Sequence, residues 1–356
     1  MKVRVEKQIG KHILSMETGQ LARQASAAVV VQYGGTVVLN AVTSGPPRPG
    51  IDFFPLMCDY RERYAAAGKF PGGFLKREGR PSTKETLTAR LIDRPIRPLF
   101  PEGYMDEVQC QSVVLSSDRQ NDADVLAMNG TATALLISPI PFLGPIASVR
   151  VGRLDGQFLP FPTHEELEES ELDLVVSGTE QAVAMIEGFA RELPEDTMAA
   201  AIDYAHGVIK EIIALQRELA AQVNVQKIEF VPPPDDGLFD RLKGQYYEEF
   251  KTVKRTEGKQ ARAEAVLALR TRVLAEVIPD PEAEGAVTQL AFDAAWHRLE
   301  SAVVRDLILA GTRPDGRGYK DLRQIQCLVD VLPRTHGSAV FTRGETQVLG
   351  VATLGT

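Results

Sequence analysis

The stretch AAVVVQYGGTVVLNAVTSG (residues 27–45) decides the fold. Two β-branched runs, Ala27 to Tyr33 and Thr36 to Thr43, flank Gly34-Gly35. That pattern signals a hairpin, because a two-residue turn needs positive φ and glycine adopts it without strain. Shifted by 310 residues, the stretch falls on GSAVFTRGETQVLGVATLG (337–355), with seven identities in nineteen positions, among them Val30/Val340, Gly34/Gly344 and Leu39/Leu349. Either the chain carries a duplicated unit, or two unrelated hairpins share a pattern. Under duplication the second copy stops just after its first hairpin, and a lone hairpin is marginal in water. Either that hairpin packs on the first domain or the chain is a piece of a longer one, and the second is the expectation.

Working outward, strands are expected at Val3–Lys7 and His12–Met16 around a turn at Gly10, and again near Ala147–Val151 and Leu172–Val176. Asp124 to Ile137 reads as a helix with Asp122 or Asp124 as N-cap, and Asp196 to Val223 as a long amphipathic helix. VPPPDD (231–236) is a linker by composition. Beyond it, Leu238 to Leu309 is rich in Ala, Leu, Glu, Arg and Lys, with breaks only near Gly258 and Pro279-Asp280-Pro281, and strand signals return after GTRPDGR (311–317). The expectation is a mixed α/β (α+β) chain of three parts: 1–230, an all-α module at 231–311, and a truncated second unit at 312–356.

The 356 residues carry a formal charge of -8 and 44% hydrophobic residues, an ordinary globular composition. No apolar run approaches the ~18 residues of a membrane-spanning helix, and the start MKVRVEKQIG lacks a secretory apolar core. A cytoplasmic protein without membrane association is expected. Cys58, Cys110 and Cys327 are far apart with no CxxC, and HExxH is absent, so neither a disulfide framework nor a zinc site is supported.

Charge is unevenly placed. Between Arg61 and Arg97 stand ten Lys/Arg and four acids, a net +6 that leaves -14 for the rest of the chain. A basic stripe on an acidic body favours a polyanion at one place, although a solvated surface with chance clustering would look the same. Ser82-Thr83-Lys84-Glu85 is a capping box that should start a helix running until Pro95 disturbs it. On that helix Arg90, Arg94 and Arg97 share a face, with Pro95 blurring the last. Guanidinium forks on one face suit a phosphate chain. Equally, Arg94 or Arg97 could pair with acids of the fold. The preceding loop, KFPGGFLKREGR (69–80), adds glycine mobility at Gly72-Gly73, a stacking face at Phe74, and charge at Lys76, Arg77 and Arg80. Stacking plus charge holds single-stranded nucleic acid without reading its sequence, at ~1–3 kcal/mol per stacked base. The plainer alternative buries Phe70 and Phe74 at a corner.

At these residues a resemblance becomes specific. FFPLMCDYRERYAAAGKFPGGFLKREGRPSTKETLTARLIDRPIRPLFPEGY (53–104) resembles the signature segment of the polynucleotide phosphorylase family. MNGTATALLISPIPFLGPIASVRVG and LDLVVSGTEQAVAMIEG resemble the rest of that family's first RNase PH-like core, and RPDGRGYKDLRQI with LPRTHGSAVFTRGETQ the opening of its second. The resemblance implies a first core of the ribosomal protein S5 domain 2-like type, a helical interdomain module, and the first strands of a second core. It also implies a phosphorolytic 3′→5′ exoribonuclease (a nucleotidyltransferase) of mRNA degradation, working as a homotrimer on single-stranded RNA, with possible partners in a degradation complex. Inorganic phosphate would be co-substrate, and Mg²⁺ would bind in the second core, outside this chain. Phe74, Leu75, Lys76 and Arg77 stand where the family grips RNA in a central channel. Leu75 and Lys76 depart from its usual Phe-Phe-Arg-Arg, so the grip should persist but weaken.

Catalytic residues belong to the family's second core, beyond Thr356, and none is assigned here. Asp173 stands at one position of the second core's metal aspartates, but Leu167 stands where its mate would be, so Asp173 is expected to be structural. The acids around it, Glu165, Glu166, Glu168 and Glu169, read as a solvated face. The alternative to an enzyme subunit is a catalytically silent RNA-binding or scaffold protein.

Overall fold

The computed structural model describes residues 2–47, 50–51, 53–73, 75–232, 237–280, 282–283 and 285–355. The chain divides into two compact units, up to Pro233 and from Pro234 onward. The expected helical module and the strands after it fall in one unit, and linker residues 233–236 lie outside the described residues.

In the first unit, β1 (Val3–Ile9), β2 (His12–Thr18), β3 (Ala27–Tyr33) and β4 (Thr36–Gly45) form an antiparallel meander. Next to β4 lies β6 (Glu107–Ser116), and β5 (Leu56–Glu62) closes the edge parallel to it, giving the order β1-β2-β3-β4-β6-β5. The second sheet has the order β10-β9-β7-β8, built from β7 (Ala147–Leu154), β8 (Gln157–Pro160), β9 (Leu172–Gly178) and β10 (Val183–Ala190).

Helix α2 (Asp124–Leu136) packs against β3, β4 and β6 of one sheet and β7 of the other, so almost its whole circumference is buried. A helix covered on all sides cannot be amphipathic, and VLAMNGTATALL is accordingly apolar or small throughout. Small residues let it approach closely. A Cβ on Gly130 would stand 1.9 Å from the Asn40 amide nitrogen. Buried amides and hydroxyls in this layer find partners: Asn40 donates to the Val29 and Val38 carbonyls, Ser112 donates to Asn40 at 2.7 Å, and Asn129 exchanges hydrogen bonds with the Ser148 backbone at 2.8 Å. The expected aspartate cap of α2 is not formed. Ala123 holds the cap position, and the buried Asp124 carboxylate turns to the Val125 amide and to Arg150. The long α4 (Glu195–Val223) lays Ile209, Ile212, Ile213 and Leu219 on β1, β7 and β9.

In the second unit, α5 (Leu238–Val253), α6 (Lys259–Val277) and α7 (Gln289–Leu309) pack around Leu242, Phe250, Phe292 and Trp296, with the Phe250 and Trp296 rings stacked at 4.7 Å. Gly258 stands between α5 and α6 as expected, and Pro279 and Asp280 follow α6, while Pro281 lies outside the described residues. Strands β11 (Ile325–Val329), β12 (Gly337–Arg343) and β13 (Thr346–Ala352) make a separate three-stranded meander. Its last hairpin reproduces the register of the first. Tyr33 pairs Thr36 as Arg343 pairs Thr346, Val30 pairs Leu39 as Val340 pairs Leu349, and Gly34 and Gly344 share positive φ values of 57° and 62°.

Candidate nucleic-acid interface

The basic segment is built in two pieces. After β5 a short 3-10 turn, Tyr64–Ala67, ends at Gly68 in the left-handed region, and the loop leaves from there. Its far leg is tied down: Glu78 pairs with Arg63 and accepts from the Tyr64 amide at 3.1 Å. Between these anchors the chain turns at Gly72, whose φ of 121° excludes ordinary side chains, and the Lys76 amide bonds the Gly73 carbonyl at 2.8 Å. The Lys76 stem lies over Gly72, where a Cβ would meet it at 2.6 Å. Lys76, Arg77 and Arg80 are exposed, and Leu75 is 86% exposed. Phe74 lies outside the described residues.

Phe70 is 89% exposed, so the buried-corner alternative does not hold for it. It therefore joins the candidate residues of the loop, which the sequence pattern alone did not single out. The signal was the pairing of Lys69 with an aromatic, the same alternation of charge and ring that marked Phe74.

Helix α1 (Thr83–Ile96) is the second piece, and its start follows the sequence rule. The Glu85 amide donates to the Ser82 hydroxyl at 3.2 Å, and the Glu85 carboxylate accepts from the Ser82 amide at 2.6 Å. The other Glu85 oxygen accepts from the Glu62 amide on β5 at 2.9 Å. Burial raises the Glu85 carboxyl, but the Ser82 and Glu62 amides outweigh it and hold the group below its usual range. The helix passes through Pro95 to Ile96 instead of breaking before it, and a further 3-10 turn follows at Arg97–Leu99.

The three arginines of this helix part company. Arg90 and Arg94 are exposed, and both line a groove of about 760 Å³ with Met57, Cys58, Leu87 and Glu187. Arg94 is held there by Glu187 at 2.8 Å and by the Ile186 carbonyl at 3.3 Å. Arg97 is taken up by the fold. Its fork is filled by Asp93 (2.7 and 2.5 Å) and by the carbonyls of Phe54 and Leu56, each at 3.1 Å. Arg97 still stands at helical spacing, with its amide bonded to the Asp93 carbonyl, so what sets it apart is the partners its fork finds: Asp93 one turn back and two carbonyls at the start of β5.

At the other candidate position, Asp173 receives both oxygens' worth of hydrogen bonds from Arg150, at 2.8 Å each, while Arg150 also pairs with Asp124. Burial disfavours the Arg150 charge, but Asp124 and Asp173 outweigh it and raise its pKa. Leu167 lies on α3 (His164–Glu169) and brings no oxygen. Of the four glutamates, Glu165, Glu168 and Glu169 are exposed, whereas Glu166 caps α3 from Thr163 and pairs with Lys11. Among the described residues no three His, Cys, Asp or Glu side chains gather as a metal site. A divalent ion does not fit at Asp173, whose carboxylate is occupied by a guanidinium.

The core joins two sheets and their helices to an exposed basic loop and an arginine-lined groove, and the class is given by comparison with known sequences. Residues 12–141 and 144–208 match the profiles of the 3′ exoribonuclease family, domains 1 and 2. Residues 237–318 match the RNA-binding domain of polyribonucleotide nucleotidyltransferase. The polyribonucleotide nucleotidyltransferase of Rhodopirellula baltica is 64% identical over 100% of this chain and 47% of its own length. Those of Thermomicrobium roseum and Geotalea uraniireducens are each 46% identical, over 98% and 100% of this chain and 45% and 51% of their own. The chain belongs to the polyribonucleotide nucleotidyltransferase family, and spans about half the length of these relatives. Among the described residues no helix is long and apolar enough to cross a membrane.

Proposed function

We propose that this chain is the RNA-guiding half of a phosphorolytic 3′→5′ exoribonuclease. The observation that carries this reading is the loop at 69–80: anchored at both legs, with Phe70, Leu75, Lys76, Arg77 and Arg80 on the outside. In the reaction a phosphate oxygen attacks the 3′-terminal phosphodiester and the shortened chain leaves, releasing a nucleoside 5′-diphosphate. This chain's residues bind and orient. The loop cations and rings hold the backbone and bases of the incoming strand, with Phe74 and Phe70 as stacking faces. Arg90, and Arg94 if it exchanges Glu187 for phosphate, continue the path along the groove. Arg97 supports the path by fixing the end of α1 to β5.

The phosphorolytic step itself belongs to a second core of which residues 312–356 are the start, and Mg²⁺ there would neutralise charge developing at phosphorus. Degradation of mRNA in the cytoplasm, a homotrimeric ring and partners in a degradation complex complete the proposal. The alternative, a silent RNA-binding or scaffold protein, shares the grip and lacks the chemistry.

The test is binding and phosphorolysis of a 3′-labelled oligoadenylate, with Mg²⁺ and phosphate, at two salt concentrations. Binding that weakens with salt, without diphosphate release, is expected. The double change Lys76→Ala/Arg77→Ala should flatten the salt dependence, since each phosphate contact on a single strand contributes a slope of about 0.7. Diphosphate release by this chain would overturn the placement of catalysis elsewhere. Salt-independent binding unaffected by the double change would overturn the loop as the grip.

A further inference from the structure

Strands β5 and β6 run parallel, and their register sets Cys58 directly beside Cys110. Registered residues of a parallel pair project to the same face, and neighbouring strands lie ~4.8 Å apart. That spacing falls inside the ~4.4–6.8 Å Cα separation that a disulfide can bridge. The Cys110 side chain is also the largest influence on the Cys58 thiol, ahead of burial. They differ in access. Cys110 is 1% exposed, whereas Cys58 is half-buried and lines the groove that Arg90 and Arg94 share. Cys58 is thus the sulfur a small reagent reaches first, with a second thiol waiting behind it. Leu75, Lys76, Arg77, Arg80, Arg90, Arg94 and Arg97 all lie between positions 58 and 110.

We propose that Cys58 and Cys110 are a reversible dithiol–disulfide site, at which a low-molecular-weight disulfide closes a covalent ring around the RNA-gripping segment. The step balances. The Cys58 thiolate attacks one sulfur of a disulfide such as glutathione disulfide, forming a mixed disulfide and expelling one thiolate, which takes up the proton Cys58 gave. Cys110 then loses its proton and attacks the Cys58 Sγ, and the second small thiol departs with that proton. Two electrons and two protons pass from the protein to the small disulfide. The neighbouring Cys110 side chain and burial push the Cys58 thiol up, so the exchange is slow at neutral pH and quickens in mild alkali. The ring closes at the base of the segment, where β5 also anchors Arg97 through the Leu56 carbonyl.

The test removes the third, exposed cysteine with Cys327→Ser and incubates the folded chain with glutathione disulfide at about pH 8. Free thiols are then blocked, and intact mass and peptide maps are read without reductant. The expected product has lost two hydrogens, joins the peptides of Cys58 and Cys110, and reverts with dithiothreitol. Adding Cys110→Ala should convert that product into one carrying a single glutathione at Cys58. Two thiols that stay free while the denatured chain reacts would overturn the proposal. So would a Cys58 that retains its glutathione with Cys110 present. Because the readout is mass, failure of the RNA-binding reading would leave this result standing.

Discussion

The hairpin β3–β4 and the hairpin β12–β13 are the same local object in two environments. They share seven identities, the pairing register and a left-handed glycine at the first turn position. In the first, Val29, Val31, Val38 and Val42 are fully buried beneath α2. In the second, Val348, Leu349 and Val351 are each more than half exposed. The turns differ as well. Asp118 accepts from the Gly35 amide, the Thr36 hydroxyl, the Gln120 and Asn121 amides and the Asn121 side chain, so it staples the first turn to the chain before α2. A Cβ at Gly35 would stand 2.9 Å from the Asp118 Cβ, which is why glycine occupies that position and Glu345 can occupy its counterpart. Local sequence sets the shape and register of a hairpin, and what lies on it sets its contribution to stability.

The comparison can be broken most severely at Gly130. Gly130→Ala must push α2 off β3–β4, because the new methyl would overlap Asn40 and approach Val31 at 2.9 Å. A loss of about 3 kcal/mol in urea unfolding of the first unit is expected, at the upper end of overpacking costs. Asp118→Ala should cost about 2 kcal/mol, since it strands several donors of one charged acceptor. Burial raises the Asp118 carboxyl, but the Asn121, Gln120 and Gly35 donors outweigh it and leave its pKa depressed in the fold. Its stabilisation is therefore complete above the ordinary aspartate range near pH 4 and drains away as pH falls below it. In Asp118→Ala the acid limb of a stability-against-pH curve should flatten.

Val38→Ala and Val348→Ala sharpen the contrast at equivalent positions. The first, fully buried, should cost about 2 kcal/mol through lost burial and a cavity. The second, 58% exposed, should change stability by less than ~0.5 kcal/mol. Equal effects at the two sites would mean that register alone, rather than cover, determines what these hairpins contribute. Between these two, Ser82→Ala removes one half of the α1 capping box and should cost about 1 kcal/mol, read as a lowered melting temperature.

What the sequence disclosed follows the range of the interaction. Hairpins, the Ser82–Glu85 box and the long α4 rest on neighbours a few residues apart, and each stands where the pattern placed it. The parallel pair β5–β6 escaped notice, because its register joins Leu56 to Val108 across a whole helix and loop. The aspartates behaved likewise. Asp124 looked like a cap by local rules, yet an arginine 26 residues away claims it, and the same Arg150 claims Asp173. At the interface, charge and composition marked the loop correctly as exposed and basic. They could not separate Arg90, which faces the groove, from Arg97, whose fork faces backbone carbonyls. That distinction depends on carbonyls 43 and 41 residues away in the sequence, which no local pattern announces.

Helix α1 has a second consequence, for the solubility of the chain. Strand β5 ends its sheet and would ordinarily offer a row of unpaired amides and carbonyls to any passing strand. The Pro55 carbonyl faces β6, where it accepts from Val108, so the Leu56 carbonyl faces outward, and Arg97 takes it. At the other end of the strand the Glu62 amide is taken by Glu85. The helix plugs the open edge at both ends, from Glu85 in its first turn and from Arg97 just past its last residue. A foreign strand seeking to extend the sheet would have to evict an ion-paired arginine and a capping carboxylate first.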